Sequence, residues 1–481
     1  MGRQSSLSAL VVSAVMTSVL LASCSSSSSS SSTSAVASSG PVALGAPGSV
    51  PESVFTVATP AVAGTPSRYD QVWVRRFGSP TASHVLVLVP GTNGGAGDFD
   101  IVAPYLATHV PDLQVWAQMR REGALQNTSV IESTLTGTTT YQRAFDYYLG
   151  WLSDPSITDH YQPLDKADYR YVAQWGMVVA MNDLHAVIEK ARQDGSRTVT
   201  LGGHSLGGVE AAVYAAWDFD GHAGYRDING IMCIDGCARA GATTTTLASA
   251  QQAIASMDTK GPWLDLLGVG LPWASGAFSQ VGALAALKAP DGPALLQGFP
   301  LLPTSFKPSK PVTNQAQFGY AFDASTSPAS LALIHVHSGH VAATGDPAGW
   351  VDSGPTPVRN VVDVFAQDPL AAADWYDPER LSIDAGPAAS LQQSALASYL
   401  GLRLLHTGQV DVPLYAFQTS LGGTANAVAD GAHFYQQESK IPSVTVVSRT
   451  DTYSHLDPLL ATPSKNAFVR SVIPWLKKVD S

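Results

Sequence analysis

The sequence predicts an α/β fold in which helices cover both faces of a mostly parallel central sheet. From about residue 68 onward, short apolar runs that end in turn residues alternate with longer segments typical of helices, the pattern of parallel strands joined by helical crossovers. The run at residues 85–89 contains only valine and leucine, as expected of a strand covered on both faces. A chain of 481 residues, 45% of them hydrophobic, is long enough to bury a large core.

The predicted elements follow one another in a regular order. Strands are expected at residues 71–77, 84–89, 113–119, 198–201, 228–234, 413–417 and 444–447. Helices are expected at residues 175–193, which end at an Asp-Gly stop, at residues 209–217 and at residues 466–477. These elements predict a core built from two parts of the chain, residues 52–237 and residues 405–481.

Residues 238–404 interrupt this alternation. Residues 266–290 carry one charged side chain, Lys288, but the glycines and prolines in this stretch interrupt any helix long enough to span a bilayer. We therefore expect an apolar cap that is inserted between two strands and lies over the edge of the sheet. An independent second domain with its own core is the alternative.

The N-terminus predicts export and attachment to a membrane. Residues 1–23 combine an early arginine, an apolar run and a small-residue cleavage site, as a signal peptide does. The sequence Leu-Ala-Ser-Cys at residues 21–24 resembles the lipobox of bacterial lipoproteins, which implies a fatty acyl chain such as palmitate on Cys24. Residues 24–51, rich in serine, would then form a flexible tether on the outer face of a bacterial cell membrane. In the alternative, Cys24 merely follows an ordinary cleavage site.

Composition excludes several classes of protein. The chain has 27 Lys+Arg against 38 Asp+Glu and a net charge of −11, which disfavours nucleic-acid binding because that function needs a basic face. Three cysteines are too few for a disulfide-stapled scaffold or for a zinc site with four thiolate ligands.

The strongest motif surrounds Ser205. Gly203, Ser205 and Gly207 fill the pattern G-x-S-x-G between a predicted strand and a predicted alanine-rich helix. Such a turn is so sharp that side chains at the two glycine positions would collide with the neighbouring strand and helix. The turn lifts the serine hydroxyl clear of the sheet at the N-terminus of a helix, so we expect Ser205 to be a nucleophile.

With this motif, the sequence resembles the lipase-like and esterase-like members of the α/β-hydrolase family over most of residues 70–480, apart from the cap. The resemblance implies an oxyanion hole in the glycine-rich loop at residues 89–95. The backbone N–H groups of Leu206 and Thr92 would bind the developing oxyanion, and Asn93 is the near alternative to Thr92. This loop lacks the terminal Lys-Ser/Thr of a P-loop, so it is not expected to bind a nucleotide.

The family order places the catalytic base after the last strand. Among the 12 histidines, His455 fits this place, because it follows the strand at residues 444–447 by a short loop and precedes the closing helix. His433 comes before that strand, and His204 lies in the turn beside Ser205. We expect His455 to accept the serine proton; a histidine in a surface loop is the alternative.

The acid departs from the common family pattern. In many members it follows the strand before the last one, but here that strand is followed by Gln418, Thr419 and Ser420, none of which is a carboxylate. Some members place the acid one strand earlier, where Asp235 ends an apolar run at the carboxyl edge of the sheet. Asp235 is therefore the predicted acid, with a turn-forming Asp-Gly pair as the alternative. The fallback acids are Asp430, Asp451 and Asp457.

Two further patterns carry less weight. His335, His337 and His340 have spacings that a metal could use, but no acidic or thiolate partner is close in the sequence, so a solvated or substrate-lining part of the cap is favoured over a zinc site. Cys233 and Cys237 bracket the Asp-Gly turn, which could bring them within disulfide range. An ordinary buried thiol at Cys233 is the alternative.

Together these patterns predict a lipid-anchored serine hydrolase that cleaves carboxylic esters of apolar acyl or aryl groups, without a cofactor or a metal ion. Ser205, His455 and Asp235 would act as a catalytic triad through an acyl-enzyme. The alternatives are an amidase, peptidase or thioesterase with the same triad, and a catalytically silent binding lipoprotein that keeps the fold. The expected partners are a small apolar ester and the membrane, with no nucleic acid and no obligate protein partner.

Overall fold

The computed structural model describes residues 42–44, 50–367, 370–422 and 425–479. The strands of this part of the chain are β1 Val42–Leu44, β2 Glu52–Ala58, β3 Gln71–Phe77, β4 His84–Val89, β5 Leu113–Met119, β6 Thr198–His204, β7 Asp218–Phe219, β8 His222–Ala223, β9 Gly230–Ile234, β10 Gly339–Gly345, β11 Ala348–Asp352, β12 Leu414–Gln418 and β13 Val444–Ser448. The α-helices are α1 Ala103–His109, α2 Ser129–Leu135, α3 Tyr141–Tyr148, α4 Met177–Arg192, α5 Leu206–Ala216, α6 Leu247–Lys260, α7 Ala274–Lys288, α8 Asn314–Phe322, α9 Val358–Phe365, α10 Glu379–Ala389, α11 Ala395–Leu400, α12 Ala427–Gln437, α13 Asp457–Leu460 and α14 Ala467–Val479.

Nine strands form the central sheet, in the order β1-β2-β3-β5-β4-β6-β9-β12-β13. The six strands from β5 to β13 pair in parallel, whereas β3 runs antiparallel to both of its neighbours. The remaining strands form two small antiparallel hairpins, β7-β8 and β10-β11. The predicted mostly parallel sheet is confirmed.

Helices cover both faces of this sheet. Along β4, Val85, Val87 and Val89 belong to one apolar cluster, and the alternate residues Leu86 and Leu88 belong to another, because successive side chains of a strand point to opposite faces. Helices α4, α5, α10 and α12 contribute to the first cluster. Helices α1, α9 and α14 contribute to the second. Burial on both faces explains why this strand has no polar residue after its first position.

The strand predictions agree closely with the structure in the middle of the sheet. β3, β4 and β5 have the predicted bounds, and the other four predicted strands differ from β6, β9, β12 and β13 by at most three residues at an end. The prediction missed β2, which pairs with β3 and alternates buried and partly exposed residues. It also assigned residues 42–44 to the tether, whereas they form the edge strand β1 beside β2.

The segment between β9 and β12 contains α6 to α11 and the β10-β11 hairpin. It shares a core with the sheet: Phe318 and Phe322 of this segment lie in the same cluster as Leu86 and Met232 of the central strands, and residues 40–481 form one compact unit. The segment is therefore not an independent second domain. Among the described residues, no helix combines the length and the apolar character needed to cross a membrane.

Candidate active site

Ser205 occupies a sharp turn between the end of β6 and the start of α5. Its backbone has φ 55° and ψ −121°, a conformation that non-glycine residues rarely adopt outside functional turns. A Cβ atom at Gly203 would lie 2.2 Å from the backbone of Gly207, and one at Gly207 would lie 2.0 Å from the carbonyl oxygen of Val89. The close packing therefore requires both glycines of the motif, as the sequence predicts.

The sheet gathers the predicted site residues at one edge. Strands β4, β6, β9, β12 and β13 are parallel neighbours, so the loops that follow them lie together at their carboxyl ends. These loops carry Thr92, Ser205, Asp235, Thr419 and His455.

Asp235 and His455 are in direct contact. The Nδ1 atom of His455 lies 2.5 Å from Oδ2 of Asp235, and the two side chains are each only 1% exposed. When Nδ1–H donates to the carboxylate, the other ring nitrogen, Nε2, is free to accept a proton. Ser205 and His455 line the same cavity, although within the described part of the chain no hydrogen bond joins them. Hydrogen bonds of this kind often tighten only when substrate binds.

Thr419 holds Asp235 from the next strand. Its backbone N–H donates to Oδ1 of Asp235 at 2.7 Å, and its hydroxyl donates to Oδ2. Burial raises the pKa of Asp235, but the hydrogen bond and charge of His455 and the bonds from Thr419 outweigh burial and lower the pKa below its ordinary value. The carboxylate thus stays ionised. In the sequence, Thr419 stands out only as a position where the family often has an acid and this chain has none. Its place at the end of the strand beside β9 is the signal that could have identified it as a partner of Asp235.

A buried ion pair holds the loop that would supply the second oxyanion donor. Arg120 donates to the carbonyl oxygens of Pro90 and Gly91 at 2.6 and 3.0 Å, and an ion pair of 2.7 Å fixes Arg120 to Glu210. The sequence does not mark either residue, because Arg120 lies 29 positions after Gly91 and Glu210 lies a further 90 positions along the chain.

The backbone N–H of Asn93 already has a hydrogen-bond acceptor. It donates to Oδ2 of Asp377 at 2.6 Å, so it is not available to an oxyanion. Thr92, which also lines the cavity, has no acceptor for its backbone N–H in the described residues. The geometry therefore favours Thr92 over Asn93.

A buried carboxyl group, Asp374, also lines the cavity. Burial, together with the charge of Asp377, raises the pKa of Asp374 to about 8, and Arg120 only partly opposes this rise. At neutral pH Asp374 is thus mostly protonated and adds little negative charge beside the predicted oxyanion loop.

His204 and Asp457 support the loop that carries His455. Burial and the neighbouring His455 lower the pKa of His204 to about 3, so its neutral ring can donate from Nε2 to the carbonyl oxygen of His455 at 2.9 Å. Asp457, fully buried, accepts the backbone N–H of Ser454 at 2.6 Å. The fallback acids therefore do not contact the ring of His455: Asp457 holds its loop, Asp451 is exposed and Asp430 lies on α12.

The three histidines of the cap have separate partners. His335 Nε2 lies 3.2 Å from the carbonyl oxygen of Pro328, and His340 Nδ1 lies 3.4 Å from the Ser353 hydroxyl. His337 bonds to Asp457 at 2.8 Å. This carboxylate comes from 120 residues away, so the sequence around His337 gives no sign of it. The arrangement does not resemble a zinc site, in which the ligands share one ion.

Cys233 and Cys237 form a disulfide bond, which decides between the two sequence-based alternatives for Cys233. Cys24, the signal peptide at residues 1–23 and most of the tether lie outside the described residues.

The cavity beside Ser205 has a volume of about 380 Å³. A second, smaller cavity of about 90 Å³ adjoins it, since the two share Leu266, Ser275, Ser279 and Ile334. Leucines, phenylalanines and Gly282 line most of this apolar arm, which runs between α7 and α8.

No family model matches the chain, and no curated protein sequence matches it. Among solved structures, the chain is similar to a candidate lipase from Sulfolobus solfataricus, with 15% identity, coverage of 91% of this chain and 99% of the other, and a TM-score of 0.47. It is also similar to a highly thermostable carboxyl esterase from Bacillus coagulans, with 10% identity, coverage of 89% and 99%, and a TM-score of 0.45. A monoacylglycerol lipase from Paleococcus ferrophilus shares 11% identity, with coverage of 85% and 99% and a TM-score of 0.38.

The architecture of the chain itself carries the fold assignment. Its parallel strands place the turn at Ser205, the carboxylate of Asp235 and the ring of His455 in the chain order serine, acid, histidine along one sheet edge. With this order of strands and this arrangement of loops, the chain has the α/β-hydrolase fold that its sequence predicts.

Proposed function

We propose that the protein is a serine hydrolase that cleaves carboxylic esters of apolar acyl or aryl groups. One observation carries this proposal: the 2.5 Å contact between Asp235 and His455 lies beside a serine at the tip of a strained turn, and Ser205 and His455 open into one cavity. A histidine fixed by a carboxylate next to such a serine is the arrangement that activates a hydroxyl for acyl transfer.

In the proposed reaction, Oγ of Ser205 attacks the ester carbonyl carbon while Nε2 of His455 takes the serine proton. The backbone N–H groups of Leu206 and Thr92 stabilise the oxyanion, and each donor lowers the activation free energy by about 3 kcal/mol. The intermediate then collapses to an acyl-enzyme, and the alcohol leaves with the proton from His455. Water activated by His455 attacks the acyl-enzyme, and the acid is released from Ser205. Asp235 keeps the ring in the required tautomer and stabilises its charged form.

The apolar arm supports an apolar acyl group. Its lining is dominated by hydrocarbon side chains, and burying a methylene group of a substrate there is favourable by about 0.8 kcal/mol. Amides and thioesters remain the alternative substrates, since the same triad serves all acyl transfers. A silent ligand-binding protein is disfavoured, because such a protein has no need for the buried contact between Asp235 and His455.

A fluorophosphonate label and a panel of substrates test the proposal. We expect the label to attach to Ser205. We expect Ser205→Ala to lose both labelling and ester hydrolysis, with kcat lower by about 10⁴-fold or more and an unchanged circular dichroism spectrum. Ser330→Ala, which removes another hydroxyl from the same cavity, is the matched control and should stay within about tenfold of the parent.

Labelling that persists in Ser205→Ala would contradict the proposal. The substrate panel, made of esters, amides and thioesters of matched acyl groups, decides between an esterase and the alternative hydrolases by their relative kcat/KM.

A further inference from the structure

The proposed acid sits inside a five-residue ring closed by a disulfide bond. Cys233 is the fourth residue of β9, and Cys237 follows the turn, with 5.2 Å between their Cα atoms. Asp235, between them, has φ 51°, in the left-handed region that non-glycine residues rarely occupy. Both cysteines are buried, with exposures of 0% and 6%.

This ring packs directly on the turn that carries Ser205. The backbone N–H of Ser205 donates to the carbonyl oxygen of Ile234 at 2.8 Å. A Cβ atom at Gly236 would lie 1.9 Å from the carbonyl oxygen of Ser205, so the two backbones touch at this point. A shift of the ring therefore changes the position of the carboxylate relative to both other members of the triad.

Further hydrogen bonds hold the middle of the ring and the chain just beyond it. The backbone N–H of Asp235 donates to the carbonyl oxygen of Phe417 at 2.8 Å, and that of Arg239 donates to the carbonyl oxygen of Ala389 at 2.7 Å. Within the ring, the disulfide adds a covalent link that limits the backbone conformations of residues 234–236. A link that restricts the loop also restricts the directions in which the carboxylate can point.

We propose that the Cys233–Cys237 disulfide positions Asp235 for catalysis, so that the enzyme gains full activity only after the two thiols are oxidised. This inference rests on the proposed triad. In the oxidation, the two thiols lose two electrons and two protons to the disulfide of an oxidising dithiol protein, which is thereby reduced, and one S–S bond forms. Such oxidants act outside the cytoplasm, which matches the export predicted for this chain.

The test uses the Cys24→Ser chain, which retains only the two cysteines of the ring, since the sequence has three. Thiol titration under denaturing conditions should find no free thiol before reduction and two after it. Reduction with dithiothreitol, which itself closes to a cyclic disulfide, should lower kcat by about 10- to 100-fold, the cost of misplacing a catalytic group by about 1 Å. KM should change little, because the substrate cavity is untouched, and reoxidation should restore kcat.

The split between kcat and KM separates positioning from simple stabilisation. A misplaced carboxylate lowers the kcat of the folded enzyme, because it acts on proton transfer at His455 and leaves substrate binding unchanged. A disulfide that only stabilises the fold would lower the melting temperature and leave kcat unchanged at temperatures where the reduced enzyme is still folded.

A second comparison asks whether the effect acts through Asp235. In Asp235→Asn, the positioned carboxylate is already lost, so reduction should change residual activity by less than about threefold, because effects on one unit are not additive. The double variant Cys233→Ala with Cys237→Ala should behave like the reduced parent and should not respond to dithiothreitol. If the double variant does not fold, the reduced parent gives the same information.

Three results would overturn the inference: two free thiols in the unreduced protein, parental kcat after reduction, or an equal loss of activity in the parent and in Asp235→Asn. Failure of the proposed function would look different. In that case the unreduced parent would not hydrolyse esters and would not be labelled at Ser205, whatever the thiol count.

Discussion

At the residue scale, the site is built on backbone conformations that few side chains adopt. Asn93, Ser205 and Asp235, one in each of three neighbouring loops, have φ of 53°, 55° and 51°. Such conformations cost about 1–3 kcal/mol each and persist only where the surroundings hold them. Here buried hydrogen bonds hold two of them: Asp377 accepts the backbone N–H of Asn93, and the backbone N–H of Thr419 donates to the carboxylate of Asp235. The fold is therefore less stable than it would be without the strained backbone that sets the geometry of this edge of the sheet.

The acid assignment yields a sharp prediction at this scale. Asp235→Asn should lower kcat/KM by about 10⁴-fold without abolishing it, because the amide cannot hold the ring in the required tautomer while the serine and the oxyanion donors remain. Asp430→Asn and Asp451→Asn should stay within about tenfold of the parent, since neither side chain contacts His455. Ester hydrolysis at neutral pH, with the melting temperature measured in parallel, checks this.

If Asp235→Asn kept a kcat/KM close to that of the parent, the proposed triad would be wrong, even if Ser205 and His455 kept their roles. Asp457→Asn is a poor control for this purpose. Its carboxylate is fully buried and accepts bonds from Ser454, His337 and Thr356, so the substitution would disturb the loop of His455.

Single residues also show how far the sequence could predict the site. Ser205 and His455 could be found because a short motif and the order of strands mark them. Asp235 could be found only through the absence of an acid after β12. Thr419 could be found only if β9 and β12 were already known to be neighbours. Arg120 and Glu210 could not be found, because their side chains meet beneath the predicted oxyanion loop from distant parts of the chain.

At the element scale, helix α7 lines the apolar arm that we propose holds the acyl group. It carries no charged residue before its last position, and its small residues allow α8 and α9 to approach closely. Gly282 lies on the wall of the apolar arm, where a Cβ atom would be 3.3 Å from both Leu296 and Phe318. A larger side chain at this position must therefore extend into the arm or displace its lining.

We predict that Gly282→Leu shortens the acyl chain that the enzyme accepts. The leucine side chain should fill the arm, so kcat/KM for long-chain esters should fall by about tenfold or more, equivalent to losing the burial of about two methylene groups. Hydrolysis of acetate esters, which need only the cavity at Ser205, should stay within about threefold. The matched control is Gly298→Leu at an exposed position with nothing within 4 Å of its Cβ.

A uniform loss across all chain lengths in Gly282→Leu would show that the arm does not hold the acyl group.

The elements around this arm were also the least predictable from sequence. The central strands are marked by continuous apolar runs, because both of their faces are covered, whereas α7 is built mostly from alanine, glycine and serine, whose spacing gives no clear periodic signal.

At the scale of the whole molecule, the charge of the body bears on how it would meet a membrane. A net charge of −11 disfavours binding to an anionic lipid surface through the folded part. Attachment would then depend on the N-terminal segment, for which the sequence predicts lipidation at Cys24.

We therefore predict that Cys24→Ser moves the protein from the membrane fraction to the soluble or secreted fraction, because the acyl anchor supplies the attachment. The kcat of the released protein should equal that of the anchored one, since the serine-rich tether that the composition predicts would transmit no constraint to a distant site. Fractionation of cells that express each form, with ester hydrolysis measured in every fraction, checks both parts. Equal membrane association of the two forms would count against a lipid at Cys24, whereas release with altered kcat would mean that the tether is coupled to the enzyme body, as the pairing of β1 with β2 at its end allows.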